Sequence, residues 1–226
     1  MKKIALLALF CGLSFAGFSQ IKLGLRLAPN ISFNSVNSEG NYNNVTNDGS
    51  GLRFSAGPIA DFYFADNYAF STGLWYTVKR VGISGTLNDG TNVSATSLYN
   101  IQYLQVPVSL KLYTNEVAVD TRVYFQLGGT VDFKIAEKHK DEATNFLYLQ
   151  SRTSDKRVFK PVDAGILLGA GVELIMGENT TIFGGLNYNR GLVNSIGGVE
   201  YIDGSKINND LSVRNSYVSL EVGLKF

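Results

Sequence analysis

At 226 residues the chain is long enough for one domain with a sizeable core, and its length does not demand a second. Hydrophobic residues make up 45% and charged residues 17%, with 24 glycines and four prolines, which excludes a proline-rich or highly charged disordered chain. The formal charge of +1 gives no reason to expect nucleic acid as a partner.

The first residues read as an export signal. Lys2 and Lys3 form a basic start, Ile4 to Phe15 is apolar, and Ala16-Gly17-Phe18-Ser19-Gln20 is a small-residue cleavage segment. This predicts a signal peptide over 1–20, cut near Ser19 and Gln20, and a single domain over 21–226. The apolar stretch of about 12 residues is shorter than the ~20 that a membrane-spanning helix needs. Cys11, the sole cysteine, lies in this segment behind bulky Phe10, which argues against a lipid-anchored cysteine. The expected mature chain then has no disulfide and depends on hydrogen-bonded closure. Without Lys2 and Lys3, 18 basic residues face 19 acidic ones.

Beyond residue 20 the apolar residues alternate with period two, the signature of strands. In chain order the segments are 21–34, 51–64, 69–84, 98–113, 122–136, 161–175, 180–193 and 214–226. The clearest is the last, where Val218, Leu220, Val222, Leu224 and Phe226 alternate with Ser219, Glu221, Gly223 and Lys225. Short connections (65–68, 114–121, 176–179) alternate with long polar ones (35–50, 85–97, 137–160, 194–213). Short periplasmic turns and long outer loops in alternation are the organisation of a bacterial outer-membrane barrel. The expected fold is all-β: an eight-stranded antiparallel up-and-down transmembrane β-barrel in the cell outer membrane, with both termini on the periplasmic side.

A soluble barrel would alternate as well, so the two faces must decide. The polar face is rich in small residues, including Gly24, Ser55, Gly57, Ser71, Gly128, Gly171 and Gly223, which suits the crowded lumen of eight strands. The apolar face has aromatic ends. Phe62, Phe64, Phe70, Phe125 and Phe226 fall near the turns, and Phe54, Tyr76, Phe133 and Tyr188 near the loops. The predicted lumen charge network comprises Arg26, Arg53, Asp61, Lys79, Lys111, Asp132, Asp163, Glu173 and Glu221, with Lys22, Lys134 and Lys225 also facing inward. Such residues could line an ion path or form a plugged core. A narrow lumen in which buried charges must be paired favours the plug. Pro107 interrupts the fourth segment, where its missing N–H predicts a bulge or a local lumen contact.

Several stretches carry a family likeness. They are Ile21-Lys-Leu-Gly-Leu-Arg-Leu-Ala-Pro-Asn30, Tyr68-Ala-Phe-Ser-Thr-Gly-Leu-Trp-Tyr76, Tyr103-Leu-Gln-Val-Pro-Val-Ser-Leu-Lys111, Asp163-Ala-Gly-Ile-Leu-Leu-Gly-Ala-Gly-Val-Glu173 and Tyr188-Asn-Arg-Gly-Leu-Val-Asn194. In order and spacing, over 21–226, the chain resembles the PorT-like outer-membrane β-barrels of Bacteroidetes, which are OmpX-like in architecture. PorT-named members are linked to type IX protein secretion and gliding. The resemblance therefore implies a structural or interaction role, with a porin-like channel for small solutes or ions as the alternative. Terminal Phe226 resembles the C-terminal signal read by barrel-assembly machinery.

No catalytic, cofactor or metal site is expected. His139, the single histidine, lies among Glu137, Lys138, Lys140, Asp141 and Glu142, away from any strand-held serine. With no second histidine and no mature cysteine, zinc lacks ligands. Asp203, Asn208 and Asp210 lack the spacing of a calcium loop. The expected partners are outer-membrane lipid, the barrel-assembly machinery during insertion, and other envelope or secretion proteins met through the loops. In the longest loop, Phe146-Leu147-Tyr148-Leu149 reads as strand extension or partner contact.

Overall fold

The computed structural model describes residues 20–38, 45–86, 94–140, 158–177, 179–197 and 211–226. The expected signal segment up to residue 19, Phe146–Leu149 and the candidate calcium residues Asp203, Asn208 and Asp210 lie outside the described residues. Ten strands are assigned among them: β1 (Gln20–Ser38), β2 (Thr46–Asn47), β3 (Ser50–Ala65), β4 (Tyr68–Gly73), β5 (Trp75–Thr86), β6 (Ser94–Tyr113), β7 (Thr121–His139), β8 (Val162–Ile175), β9 (Thr181–Gly191) and β10 (Leu211–Lys225). All pairings are antiparallel, in the ring order β1, β3, β4 with β5, β6, β7, β8, β9, β10, and β10 returns to β1 with Arg26 opposite Gly223 and Ile31 opposite Val218. With β4 and β5 forming one interrupted strand, and the two-residue β2 pairing only with β5 and adding no member of its own, the ring has eight members, as the alternation predicts. Closure satisfies both edges, which a lipid environment requires.

The break between β4 and β5 has a local cause. Register places Leu74 beside Pro58 on one flank and Gly73 beside Pro107 on the other, and neither proline has an N–H to donate. The remaining groups still find partners: Leu74 donates its amide to the Pro58 carbonyl at 3.1 Å, and the Thr72 hydroxyl donates to the Pro107 carbonyl at 2.7 Å. Of the two expectations for Pro107, the bulge is absent and the lumen contact is present, since Pro107 is buried on the inward parity between Gln105 and Ser109. Register with β7 runs through it unbroken and shifts instead between Gln102 and Tyr103.

The faces are inverted relative to a soluble barrel. Leu23, Leu25, Leu27, Phe54, Phe125, Leu127, Leu220 and Val222 are exposed on the outside, while Arg26, Asp61, Lys79, Lys111, Asp132 and Glu221 are buried inside. Outside aromatics pair across strands near both ends of this belt. Phe62 and Phe70 have centroids 6.4 Å apart on the turn side, and Phe54 and Tyr76 5.7 Å apart on the loop side. Among the described residues no helix is long and apolar enough to cross a membrane.

β1, β6 and β7 run 19 to 20 residues, well beyond the ~9–11 that a tilted strand needs to cross a bilayer. Their loop-side ends rise out of the belt, and there the interior turns apolar. Val81, Ile83, Tyr99, Ile101, Phe159, Ile196, Leu211 and Val213 form one buried cluster. Water surrounds this part, so apolar burial must point inward. The alternation accordingly slips phase within one strand: Tyr99, Ile101 and Tyr103 face in, whereas Val108, Leu110 and Leu112 face out. This explains why β1 continues to Ser38, β6 begins at Ser94 and β7 reaches His139, all inside stretches expected to be loops.

Candidate functional site in the barrel lumen

The inward residues of the belt assemble into two polar layers. In the turn-side layer, Lys225 from β10 reaches both Asp61 of β3 and Glu173 of β8. Lys111 of β6 approaches Asp61 at 3.0 Å, and the Ser71 hydroxyl donates to the same carboxylate at 2.5 Å. Tyr113 donates to Glu173 at 3.0 Å. Beside this group Tyr124 donates to Glu221 at 2.7 Å, and Arg26 stands 3.4 Å from Glu221 with its guanidinium 3.6 Å from the centre of the Trp75 ring. Stacking on an indole face suits a weakly hydrated, planar cation.

The loop-side layer centres on Lys79 of β5, which lies 2.6 Å from Asp132 of β7 and 3.6 Å from Asp163 of β8. The rings of Tyr103 and Tyr217 flank its ammonium at 5.0 and 5.8 Å. Tyr217 donates to Gln105 at 2.8 Å, and Thr77 donates to the same oxygen. Among the described residues four buried cations thus meet five buried carboxylates, a balance that lets each charge find an opposite partner.

Small residues make these contacts possible. A Cβ on Gly185 would sit 2.6 Å from the Tyr124 hydroxyl, and one on Gly171 would collide with the same group. The two glycines together clear the space through which Tyr124 crosses toward Glu221.

Of the residues named from sequence, Arg26, Asp61, Lys79, Lys111, Asp132, Asp163, Glu173 and Glu221 all lie buried in the lumen. Arg53 stands apart. It is half-exposed near the loop end, where its guanidinium donates to the Asn100 side-chain oxygen at 3.0 and 2.5 Å, because its strand has by then risen past the paired layers. Lys134 likewise turns to Glu137, at 2.6 Å. Lys225, read from sequence only as one more inward charge, is the residue that ties three strands together. Tyr113, Tyr124 and Trp75 were not anticipated, although their inward parity was readable. His139 packs edge-on against Tyr99, with centroids 5.1 Å apart. Phe226 is exposed on the outer face, its backbone bonded in both directions to Leu23 at the seam of the ring.

The closed antiparallel ring has counterparts. The sequence profile described as "outer membrane protein beta-barrel domain" matches residues 15–197, most of the chain. The chain belongs to that family. The barrel is therefore a protein of the cell outer membrane. Among solved structures it is similar to the outer membrane protein OprG from Pseudomonas aeruginosa, with 14% identity and a TM-score of 0.53, covering 93% of this chain and 98% of that one. Neisserial surface protein A aligns over 89% of this chain and 97% of its own, at 13% identity and a TM-score of 0.42. Ail of Yersinia pestis, solved with the heparin analogue sucrose octasulfate, aligns over 92% and 99%, at 11% identity and a TM-score of 0.39. At such identities the likeness to OprG speaks for the fold alone. No curated protein matches the chain.

Proposed function

We propose that this barrel is non-catalytic and closed, and that it works by contact as a PorT-like component associated with type IX protein secretion. The observation that carries the contact reading is the filled lumen. Two layers of paired charge and the apolar cluster at the loop end lie one above the other along the barrel, which leaves little room for a solute path. The recess of about 490 Å³ at the turn-side mouth, lined by Lys22, Tyr63, Arg122 and Glu173 among others, is then a vestibule and not an entrance. The strand extension above the belt offers partners a rigid surface, and the motif order shared with PorT-like barrels supports a secretion partner. In this reading the lumen charges hold strands together, and Phe226 serves recognition by the assembly machinery.

Affinity capture of the tagged barrel from native outer membranes, read by mass spectrometry, tests the proposal. Recovery of secretion subunits supports it. Recovery of the barrel alone, together with steady single-channel conductance in planar bilayers, would replace it with the porin-like reading. Phe226→Ala is expected to lower the fraction of protein reaching the outer membrane, measured by membrane fractionation.

A further inference from the structure

On the outer wall, where β9, β10 and β1 adjoin, Arg190, Arg214, Ser35, Asn37 and Ser212 line a hollow of about 230 Å³. Strand parity places all five on the lipid-facing side: Ser35 is opposite Arg214, Asn37 opposite Ser212, and Arg190 opposite Ser216. The rows beneath are apolar and exposed, with Ile31 opposite Val218 and Leu27 opposite Val222. The ten residue steps of β1 from Leu23 to Phe33 rise roughly 25 Å along the membrane normal at the usual strand tilt, the height of the apolar band of such barrels. The hollow therefore begins where the hydrocarbon ends, on the side of the long loops. Neither arginine forms a salt bridge among the described residues. Among the described residues two like charges face one hollow, flanked by hydroxyl and amide groups, and no carboxylate lines it.

We propose that this hollow holds the phosphate of an outer-leaflet lipid headgroup. Arginine forks match phosphate oxygens in two-toothed geometry, and Ser35, Asn37 and Ser212 supply further donors. The acyl chain of the same molecule lies along Ile31, Val218 and Tyr188 just below. The occupant is a lipid and not a soluble polyanion because the hollow opens sideways at headgroup height, continuous with the apolar wall. A bound lipid of this kind locks the seam between the first and last barrel strands from outside, while Lys225 does so from within.

The test is native mass spectrometry of the purified barrel in detergent with three probes: phosphatidic acid, phosphatidylcholine of the same acyl chains, and inorganic phosphate. Phosphatidic acid is expected to bind at least tenfold more tightly than phosphatidylcholine, and millimolar inorganic phosphate to leave it bound. Each arginine removed near a charged membrane surface weakens such attraction by about fivefold, so R190Q/R214Q is expected to lose roughly thirtyfold. The control Lys138→Gln removes an exposed cation of β7 outside the hollow and is expected to keep the preference. Arg190 and Arg214 are exposed on the wall, and retention of β circular dichroism by each variant identifies the folded protein. Equal binding of the two lipids, or a preference unchanged in R190Q/R214Q, would overturn the proposal. Displacement by inorganic phosphate at millimolar concentration would overturn the lipid as the source of the phosphate.

Discussion

Lys225 is the penultimate residue of the chain, and its ammonium is fully buried between Asp61 and Glu173. Replacing it with methionine leaves Glu173 without its cation and Asp61 with Lys111 alone. Breaking a buried ion pair by removing one partner typically costs about 3–5 kcal/mol. Lys225→Met is expected to lose stability on that scale in equilibrium urea unfolding from lipid vesicles. Adding Glu173→Gln is expected to recover part of the loss, because the orphaned carboxylate becomes neutral. A smaller change tests the clearance around Tyr124. Gly171→Ala puts a methyl against the Tyr124 hydroxyl and the Gly184 carbonyl. A strained overpacking of about 1–3 kcal/mol is expected by the same measurement. If Gly171→Ala unfolds like the native chain, Tyr124 does not need that space.

Along β10 the outward residues run from Phe226 through Leu224, Val222, Leu220 and Val218 to Arg214 and Ser212, a descent from lipid to headgroup to water. Arginine on the lipid face costs about 2–4 kcal/mol at mid-bilayer and about 0–1 near the interface. Leu220→Arg is thus expected to destabilise strongly and Ser212→Arg hardly at all, compared by urea unfolding in vesicles. Equal penalties would mean that the belt has been placed at the wrong height. The same descent explains which element ends were readable. Where lipid lies outside, apolar residues occupy one parity; where water lies outside, they occupy the other. Tyr99, Ile101 and Tyr103 followed by Leu104, Val106 and Val108 therefore look like a lost pattern, although β6 is continuous through them.

The whole molecule combines a transmembrane ring, polar within, and a loop-side extension with an apolar interior. The bridge between Phe159 and Ile196 closes over that interior. Phe159→Ala is expected to cost about 3–5 kcal/mol, in the range of large-to-small core changes. It is expected to open no conductance in planar bilayers, because the Lys79 and Lys225 layers below remain intact. Steady current from this variant would mean that the apolar cluster, and not the charged layers, seals the barrel.

Alternation, turn-and-loop rhythm and small residues on the polar face were enough to determine an eight-stranded barrel turned inside out for lipid, because period-two burial against a bilayer is a local property of each strand. They were also enough to choose the inward parity of Arg26, Asp61, Lys79, Lys111, Asp132, Asp163, Glu173 and Glu221. Which of these charges meet depends on shear and on contacts across the ring between residues as far apart as Asp61 and Lys225, and only the tertiary structure decides that. It likewise moved Arg53 and Lys134 out of the belt, since height above the membrane is a property of the assembled barrel. The hollow under Arg190 and Arg214 belongs to the same class. Its residues come from three strands, and only closure of the first strand onto the last brings them together.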